Sequence, residues 1–394
     1  MNWQRTRLKY LAAAPIVNGL GESATLEDES WPRYIRTTDF AGPRALREET
    51  KATLPPDVAR KAEVRRGDLL MSAAGTVGKT FLYDFDEPAC YAGYLVRFRP
   101  MSNVDPRFVA YWTESPLFLD QVETGKVTST IDNYSASKYQ NLSISIPDRE
   151  TQRAIADYLD TETARIDTLI AKKQRSIDLV RQRLNELARH LTIGQQASVP
   201  LRRVAAHVKT GGTPPAETIS DEGAEWVTPG DFTEYLEVTS SARRVSPAAL
   251  ASGHLPTFEA GSVLIVGIGA TAGRVGYVER PVSGNQQVTG IECGDSIQGE
   301  FLAWQLHVRA PELRSLAPYT TLPIINNDFL KSLPIFVTNL ETQRRVIRRL
   351  RKEKERVRSL VQVTERQLAL LHEHRQALIA AAVTGELEVP GVAA

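Results

Sequence analysis

Glu150-Thr-Gln-Arg153 recurs as Glu341-Thr-Gln-Arg344, and the offset of 191 residues between them decides how the rest of the chain is read. At that offset Leu142-x-Ile144-x-Ile146 matches Leu333-x-Ile335-x-Val337, and Gly194 falls on Gly385. Ile166, Ile170, Ile177 and Val180 likewise fall on Val357, Val361, Leu368 and Leu371. Upstream the match is looser but keeps its order. Trp31…Thr38-Asp39-Phe40 resembles Trp226…Gly230-Asp231-Phe232, and Gly67-Asp-Leu-Leu-Met71 resembles Gly261-Ser-Val-Leu-Ile265. Gly75-Thr-Val-Gly-Lys79 resembles Gly269-Ala-Thr-Ala-Gly-Arg274 with one residue inserted. Two copies of one unit account for nearly all of the 394 residues.

Each copy has two parts of different character. Residues 1–148 and 195–339 are rich in Gly and Pro, with short aliphatic runs such as Val263-Leu-Ile-Val266, and read as mixed strand and loop. Residues 149–194 and 340–385 read as two long helices, with 386–394 left as a tail. Between Glu150 and Leu191 there is no Pro or Gly, and apolar residues at 166, 170, 177, 180, 184, 187 and 191 form a heptad seam, Lys173 filling the missing place. The second copy places Val357, Val361, Thr364, Leu368, Leu371, Arg375, Leu378 and Ala382 equivalently. A helix of about 40 residues spans roughly 60 Å, and so long a seam calls for a partner of similar length. The expected fold is therefore α+β: two mixed α/β domains separated by an antiparallel two-helix coiled coil, related by an internal pseudo-twofold. In that arrangement the rod length fixes the domain separation.

Composition narrows the class. Apolar residues make up 42% and charged residues 24%, ordinary for a soluble globular chain and incompatible with wholesale disorder. Cys90 and Cys293 are too few for a disulfide framework and lack metal-ligand spacing. No apolar run approaches the ~20 residues of a membrane helix. Arg5, Arg7 and Lys9 precede a short, Pro-broken apolar stretch that does not make a secretory signal, so a cytoplasmic location is expected. The 48 Lys+Arg against 47 Asp+Glu leave a net charge of +1, at first sight an argument against nucleic acid.

Enzyme motifs fail on context. Ala73-Ala-Gly-Thr-Val-Gly-Lys-Thr80 fits a relaxed phosphate loop, but Phe81-Leu-Tyr-Asp-Phe85 follows as strand where a helix is required, and the second copy lacks Gly-Lys-Ser/Thr. The expected structure is a glycine-rich β-turn presenting Lys79. Gly267-Ile-Gly269-Ala-Thr-Ala-Gly273 is one residue too long for a dinucleotide or S-adenosylmethionine loop, and no Asp/Asn-Pro-Pro-aromatic methyltransferase motif occurs. His372 and His374 lie two apart on a helix and point to different faces, while His190, His207, His254 and His307 are scattered. No catalytic set and no metal site is expected in this chain.

Two variable mixed-β domains, each followed by a long helix opening at Ile146-Pro-Asp-Arg-Glu-Thr-Gln152 or Val337-Thr-Asn-Leu-Glu-Thr-Gln343, resemble the specificity subunit of type I restriction–modification systems. Ile155, Leu159 and Ile166, repeated as Ile347 and Leu350, and the Gly67-Asp-Leu-Leu70 and Gly230-Asp-Phe232 elements carry the likeness along nearly the whole chain. Thr338 in place of Pro147, and Thr37-Thr-Asp39 without the glycine of Gly230, depart from it. The resemblance implies a non-catalytic reader of double-stranded DNA, each domain reading half of a bipartite asymmetric target. It further implies two modification subunits docked on the helices, carrying S-adenosylmethionine chemistry, and two restriction subunits adding ATP and Mg²⁺-dependent steps.

Two such modules on one face of B-DNA should sit near a multiple of a helical turn apart. Phosphate contacts call for Lys and Arg, base contacts for polar loop side chains. In the first domain these are Lys79, Lys126, Thr128, Ser129, Asn133, Tyr134 and Lys138; in the second Arg243, Arg244, Arg274, Thr320, Thr321, Asn326 and Asn327. The start of the second helix is basic, from Arg344 to Arg358, and either forms a solvated face or meets phosphates or an acidic partner. A coiled-coil scaffold without DNA readout is the competing function. With so balanced a net charge, tight DNA binding should need the partner subunits.

Overall fold

The computed structural model describes residues 3–126, 133–194, 198–220, 222–241, 243–251, 255–316 and 324–390. Contacts group the chain into two compact units, Met1–Lys173 with Arg366–Ala394, and Gln174–Glu365. The division cuts through both long helices, Arg149–Thr192 and Leu340–Thr384, so each unit contains one globular domain and one half of each helix. Residues 149–194 and 340–385 are thus continuous helices along the chain but not separate packing units.

The two units have the same order of elements. In the first, Gln4–Arg7 pairs antiparallel with Ser143–Ile146 just before the first long helix. A four-stranded antiparallel sheet runs Val17–Asn18, Leu95–Phe98, Leu69–Ser72, Thr80–Leu82, and a three-stranded sheet pairs Arg33–Ile35 parallel with Ala89–Tyr91. In the second unit Ser198–Pro200 pairs with Pro334–Phe336. The antiparallel sheet there is Ala205–Thr210, Val288–Cys293, Val263–Val266, Val275–Tyr277, and Ala224–Val227 pairs parallel with Val282–Gly284. The duplication is thus one of fold as well as of motif.

Within each unit the helix segments run antiparallel. In the first, Asp167 accepts from Arg375 (3.1 Å) and Gln367 accepts from Lys173 (2.6 Å), so positions descend on one helix as they ascend on the other. Ile166, Ile177, Leu184, Val361 and Thr364 are buried, as the heptad seam requires. The helix ends do more than pair with each other. Ile155, Leu159, Ile379 and Ala382 belong to the main core of the first unit; Leu184, Ala188, Val346, Ile347 and Leu350 belong to that of the second.

The repeated Thr-Gln explains how each domain is joined to its helix. Asp148 and Asn339 cap the helices, their Oδ1 atoms accepting from the Thr151 and Thr342 amides at 2.9 and 2.8 Å. One residue further, Gln152 and Gln343 are buried, at 2% and 0% exposure. Gln152 donates to the Pro147 carbonyl (2.8 Å) and accepts from the Asp105 amide (2.8 Å) at the start of helix Pro106–Glu114. Gln343 donates to the Thr338 (2.7 Å) and Ser296 (2.9 Å) carbonyls and accepts from the Gln298 amide (2.7 Å) before helix Gly299–Val308. Only the carbonyl at 147 or 338 is used, which accounts for Thr338 standing where the first copy has Pro147. Similarly, Asp39 and Asp231 each accept from the backbone amide three residues earlier at 2.7 Å, closing a 3₁₀ turn whose middle residue needs no left-handed backbone. Thr38 therefore replaces Gly230 without strain.

The glycine motifs are hairpin turns. Leu69–Ser72 and Thr80–Leu82 are antiparallel neighbours, as are Val263–Val266 and Val275–Tyr277. Gly75 (φ 75°), Gly78 (85°), Gly269 (102°) and Gly273 (85°) supply the left-handed residues the turns need. A strand follows each turn, so neither presents a helix N-terminus to a phosphate. In the first unit the turn is pinned by the buried Tyr139 hydroxyl, which donates to the Ser72 carbonyl (2.6 Å) and accepts from the Gly78 amide (3.3 Å). Burial raises that phenol's pKa.

Two outcomes are expected. Gln152→Ala leaves the Asp105 amide and the Pro147 carbonyl without that partner and should cost the first unit about 2 kcal/mol, with Gln343→Ala doing the same to the second. Hydrogen exchange at the Asp105 and Gln298 amides checks this, and unchanged protection would refute the joint. Tyr139→Phe should cost about 1 kcal/mol and speed exchange at Gly78 without disturbing the second unit.

Candidate nucleic-acid interface

In both units three segments meet at the glycine turn. The Ala73 amide donates to the Tyr94 carbonyl (2.8 Å), and the Ala73 carbonyl accepts from the Tyr134 amide (2.8 Å). The Gly267 amide donates to the Gln287 carbonyl (2.7 Å), and the Gly267 carbonyl accepts from the Ile325 amide (2.8 Å). The turn, the loop at 92–95 or 285–288, and the segment at 133–134 or 324–325 therefore form one polar edge per domain.

The sequence-derived candidates fare differently on this edge. Lys79 and Arg274 are exposed, and each reaches back to the carbonyl of the aromatic residue closing the 3₁₀ turn: Lys79 to Phe40 at 3.3 Å, Arg274 to Phe232 at 3.5 Å. Asn133 is exposed and bridges Ala74. Tyr134 is a core residue at 3% exposure, edge-on to Tyr139 with ring centroids 4.6 Å apart, so its ring packs instead of facing solvent. Lys138 lies over the Tyr134 ring and donates to the Gly125 carbonyl (2.6 Å), and Lys126 is paired with Glu123.

In the second domain Asn326 spends its side chain capping helix Asn327–Ser332, accepting from the Phe329 amide (2.8 Å). Asn327 accepts from Thr210 (3.1 Å). Arg244 lies 3.8 Å from the buried carboxylate Glu225, which Arg280 also holds at 2.7 Å, and it donates to the Gly223 carbonyl. Arg243 remains exposed over the Trp226 ring, 5.9 Å from its centroid. Thr128, Ser129, Thr320 and Thr321 lie outside the described residues.

The same edges expose residues that sequence reasoning missed. Tyr94 is 71% exposed beside Ala73, an aromatic side chain open to a base edge. In the second domain the corresponding loop is Asn285-Gln-Gln287, whose amides are the side chains suited to reading adenine. Gln286 is exposed and bonded to Thr213, and the Trp226 indole N–H donates to the neighbouring Gly212 carbonyl (3.1 Å). Arg243, Thr213 and Gln286 therefore follow one connected run of contacts. The available signal was Tyr94 following Gly93 in a hydrophobic setting, and three consecutive amides between strands.

Charge is arranged oppositely in the two units. In the first, the helix supplies the acid: Asp160 accepts from Arg44 (2.7 Å), Arg107 (2.9 Å) and Tyr111 (2.7 Å) of the domain. Burial alone would raise the Asp160 carboxyl's pKa; the Tyr111 hydroxyl and Arg44 guanidinium outweigh it and hold the pKa below the usual carboxylate value. In the second unit the equivalent helix position is Arg351, which pairs with Glu279 (2.9 Å) and Glu300 (2.6 Å). Lys354 and Arg358 both hold Glu237, at 3.2 and 2.9 Å, and Arg181 holds Glu234 at 3.0 Å. Three of the nine basic residues at the start of the second helix are thus used inward. Arg344, Arg345, Arg348, Arg349, Lys352 and Arg356 are exposed and, among the described residues, make no ion pair.

Among the described residues no group of three or more His, Cys, Asp or Glu is placed to hold a metal ion, and no helix is long and apolar enough to cross a membrane. His307 is packed edge-on to Trp304 and lies 3.3 Å from Asn185; burial pushes its pKa down to about 4, keeping the ring neutral.

Comparison with known proteins agrees with this architecture. The sequence matches the type I restriction modification DNA specificity domain twice, over residues 34–179 and 203–359. A stretch of 142 residues, 35% of this chain, is 23% identical to the StySPI type I restriction enzyme specificity subunit of Salmonella potsdam and spans 29% of that relative's length. A chain from work on complex assembly and conformational transition of the type I R-M system superposes with a TM-score of 0.77 at 17% identity, covering 98% of both chains. The HsdS subunit from Thermoanaerobacter tengcongensis gives 0.51 at 18% identity, covering 98% of this chain and 97% of its own. At such identities the superpositions speak for the fold, while the two matched regions cover most of the chain. The chain belongs to the type I restriction–modification DNA specificity family.

Proposed function

We propose that this chain is the non-catalytic reader of a type I restriction–modification assembly, acting on chromosomal DNA in the cytoplasm. Each polar edge reads one half of a split, asymmetric double-stranded target. The observation that carries the reading is the duplicated edge: the same three-segment scaffold occurs twice but bears different side chains, Lys79, Tyr94 and Asn133 in one copy, Arg274 and Gln286 in the other, where Arg243 stands nearby over Trp226. A fixed scaffold with divergent tips suits two modules aimed at unlike base sequences. Lys79 and Arg274 fit phosphate contacts, while Tyr94 fits a contact with base edges in a groove and Gln286 fits base-edge hydrogen bonding. The antiparallel helices fix the unread gap. Two modification subunits, loaded with S-adenosylmethionine, dock on them and methylate adenine, and two restriction subunits supply the ATP- and Mg²⁺-dependent steps.

The test is the methylation motif produced by the chain with its modification partner. Exchanging residues 1–148 for those of a relative should alter one half of the motif and leave the other half and the gap unchanged. An unaltered motif would refute modular reading, and no sequence-selective, salt-sensitive DNA binding by the complex would favour a scaffold instead. On the same assay, Tyr94→Ala should weaken discrimination in the first half-site only and Gln286→Ala in the second only, each by about tenfold or more at one base pair.

A further inference from the structure

In both units the loop that follows the 3₁₀ turn meets the polar edge at one end and a long helix at the other. In the first unit it covers residues 40–46, with Phe40–Gly42 paired antiparallel to Ala45–Leu46; in the second it covers 232–238, with Phe232 bridging Val238. The same bond closes each root: the Arg47 amide donates to the Asp39 carbonyl (2.8 Å), the Thr239 amide to the Asp231 carbonyl (2.9 Å). Each loop also hangs on the strand after the glycine turn. The Leu82 amide donates to the Pro43 carbonyl and the Tyr277 amide to the Leu236 carbonyl, both at 2.8 Å. At the root, Lys79 donates to the Phe40 carbonyl and Arg274 to that of Phe232. The edge cation of each domain thus rests on this loop.

Charge pins the far end of each loop to a helix, with the sign reversed between units. Arg44 donates to Asp160 (2.7 Å) on the first long helix. In the second unit Glu237 holds Lys354 (3.2 Å) and Arg358 (2.9 Å) of the second long helix, and Glu234 holds Arg181 (3.0 Å) of the first. Between these two acids Tyr235 and Leu236 have φ of 58° and 68°, the only left-handed residues other than glycine among the described residues. A residue with a Cβ resists that conformation, so the surroundings impose it. Leu236 is buried, and Gly276 beside it approaches so closely that a Cβ there would lie 2.3 Å from Val238 Cγ2. The ion pairs at the tips are partly exposed and add little to stability. What they fix is position, because each joins the loop that carries an edge cation to a long helix.

We propose that Arg44 and Glu237 are positioning residues for sequence reading: each ties its loop to a long helix and thereby holds one edge cation, Lys79 or Arg274, where the DNA backbone meets it. This rests on the polar edges being the DNA-reading surfaces. Arg44 and Glu237 make no DNA contact themselves. Breaking the Glu237 pairs lets the Phe232 carbonyl and the Arg274 guanidinium shift together. Since phosphate contacts set the register in which bases are read, the second half-site loosens and the first stays intact. Breaking the Arg44 pair does the reverse.

The test is binding of the full chain, with its modification subunit, to target DNA and to targets with one base pair substituted in either half. Glu237→Lys sets a cation against Lys354 and Arg358. It should lower target affinity about tenfold and shrink the penalty for a wrong base pair in the second half only. Glu237→Gln should show the same pattern at smaller amplitude, and the charge swap Glu237→Lys/Lys354→Glu/Arg358→Glu should restore affinity and discrimination. Because Glu237 acts through Arg274, adding Glu237→Gln to Arg274→Gln should cost nothing further. Arg44→Gln added to Lys79→Gln should behave likewise in the first half. Additive losses would overturn the proposal, since Glu237 would then only stabilise its domain. So would losses in both halves, unaltered binding by both Glu237 variants, or a charge swap that rescues nothing. If the unsubstituted complex itself binds DNA without sequence preference, the reading of the polar edges fails first and takes this one with it.

Discussion

The fold depends on a buried glutamine. Gln152 and Gln343 are each the fourth residue of a capped helix and bond two separate backbone segments of the adjoining domain. A buried amide carries two donors and an acceptor that must all be met, so its geometry is exacting in a way that an apolar contact is not. It fixes where the long helix leaves the domain and at what angle to the helix that begins at Pro106 or Gly299. Apolar residues behind it, Ile155 and Leu159 in one copy and Val346, Ile347 and Leu350 in the other, supply the larger burial energy. They would tolerate some sliding. The amide does not, and this explains why the two copies agree best at a polar tetrapeptide.

Much of this was legible in the sequence because duplication doubles every signal. A single Thr-Gln, a single Gly-x-x-Gly-Lys or one heptad run says little; the same order recurring at one offset says that a scaffold has been reused. The seam was readable because Ile166, Ile177, Val361 and Thr364 keep a helical period, and the glycine turns because strand-like aromatics follow Lys79. The candidate edge was much less legible. Tyr134 looked like an exposed aromatic in a polar loop, yet it closes the core against Tyr139. Arg244 looked free, yet it belongs to the Glu225 cluster, and Asn326 is consumed as a helix cap. Partners like these are long-range or depend on backbone direction, neither of which residue spacing reveals. Tyr94 was missed for the opposite reason: a tyrosine among apolar residues reads as core until its 71% exposure is seen.

The inverted charge pattern shows how far two copies of one scaffold can drift while holding the same shape. Asp160 and Arg351 occupy equivalent helix positions, one answered by domain cations and the other by domain acids. Partly exposed pairs of this kind add little stability, typically under about 1 kcal/mol each. Their effect lies more in exclusion. A first-type domain offered to the second helix would bring Arg44 and Arg107 against Arg351, Lys354 and Arg358, and like charges facing each other are costly even where opposite ones gain little. The ion pairs thus discourage each domain from seating on the wrong helix start, an error that duplicated, similarly shaped modules invite.

The same inversion alters the meaning of the net charge. A total of +1 is compatible with a DNA reader because charge acts where it is placed and not as a sum. Arg351, Lys354 and Arg358 are cancelled locally by Glu279, Glu300 and Glu237, which removes them from any long-range field. Arg345, Arg348, Arg349, Lys352 and Arg356 have no such partners among the described residues and concentrate positive potential on one helix face. On the polar edges the uncancelled cations are few: Lys79 in one domain, Arg243 and Arg274 in the other. If these are the phosphate contacts, so small a number would give a shallow salt dependence and weak binding by the chain alone. On that expectation, tight binding would need an assembly that adds contacts, with this chain setting where they are made.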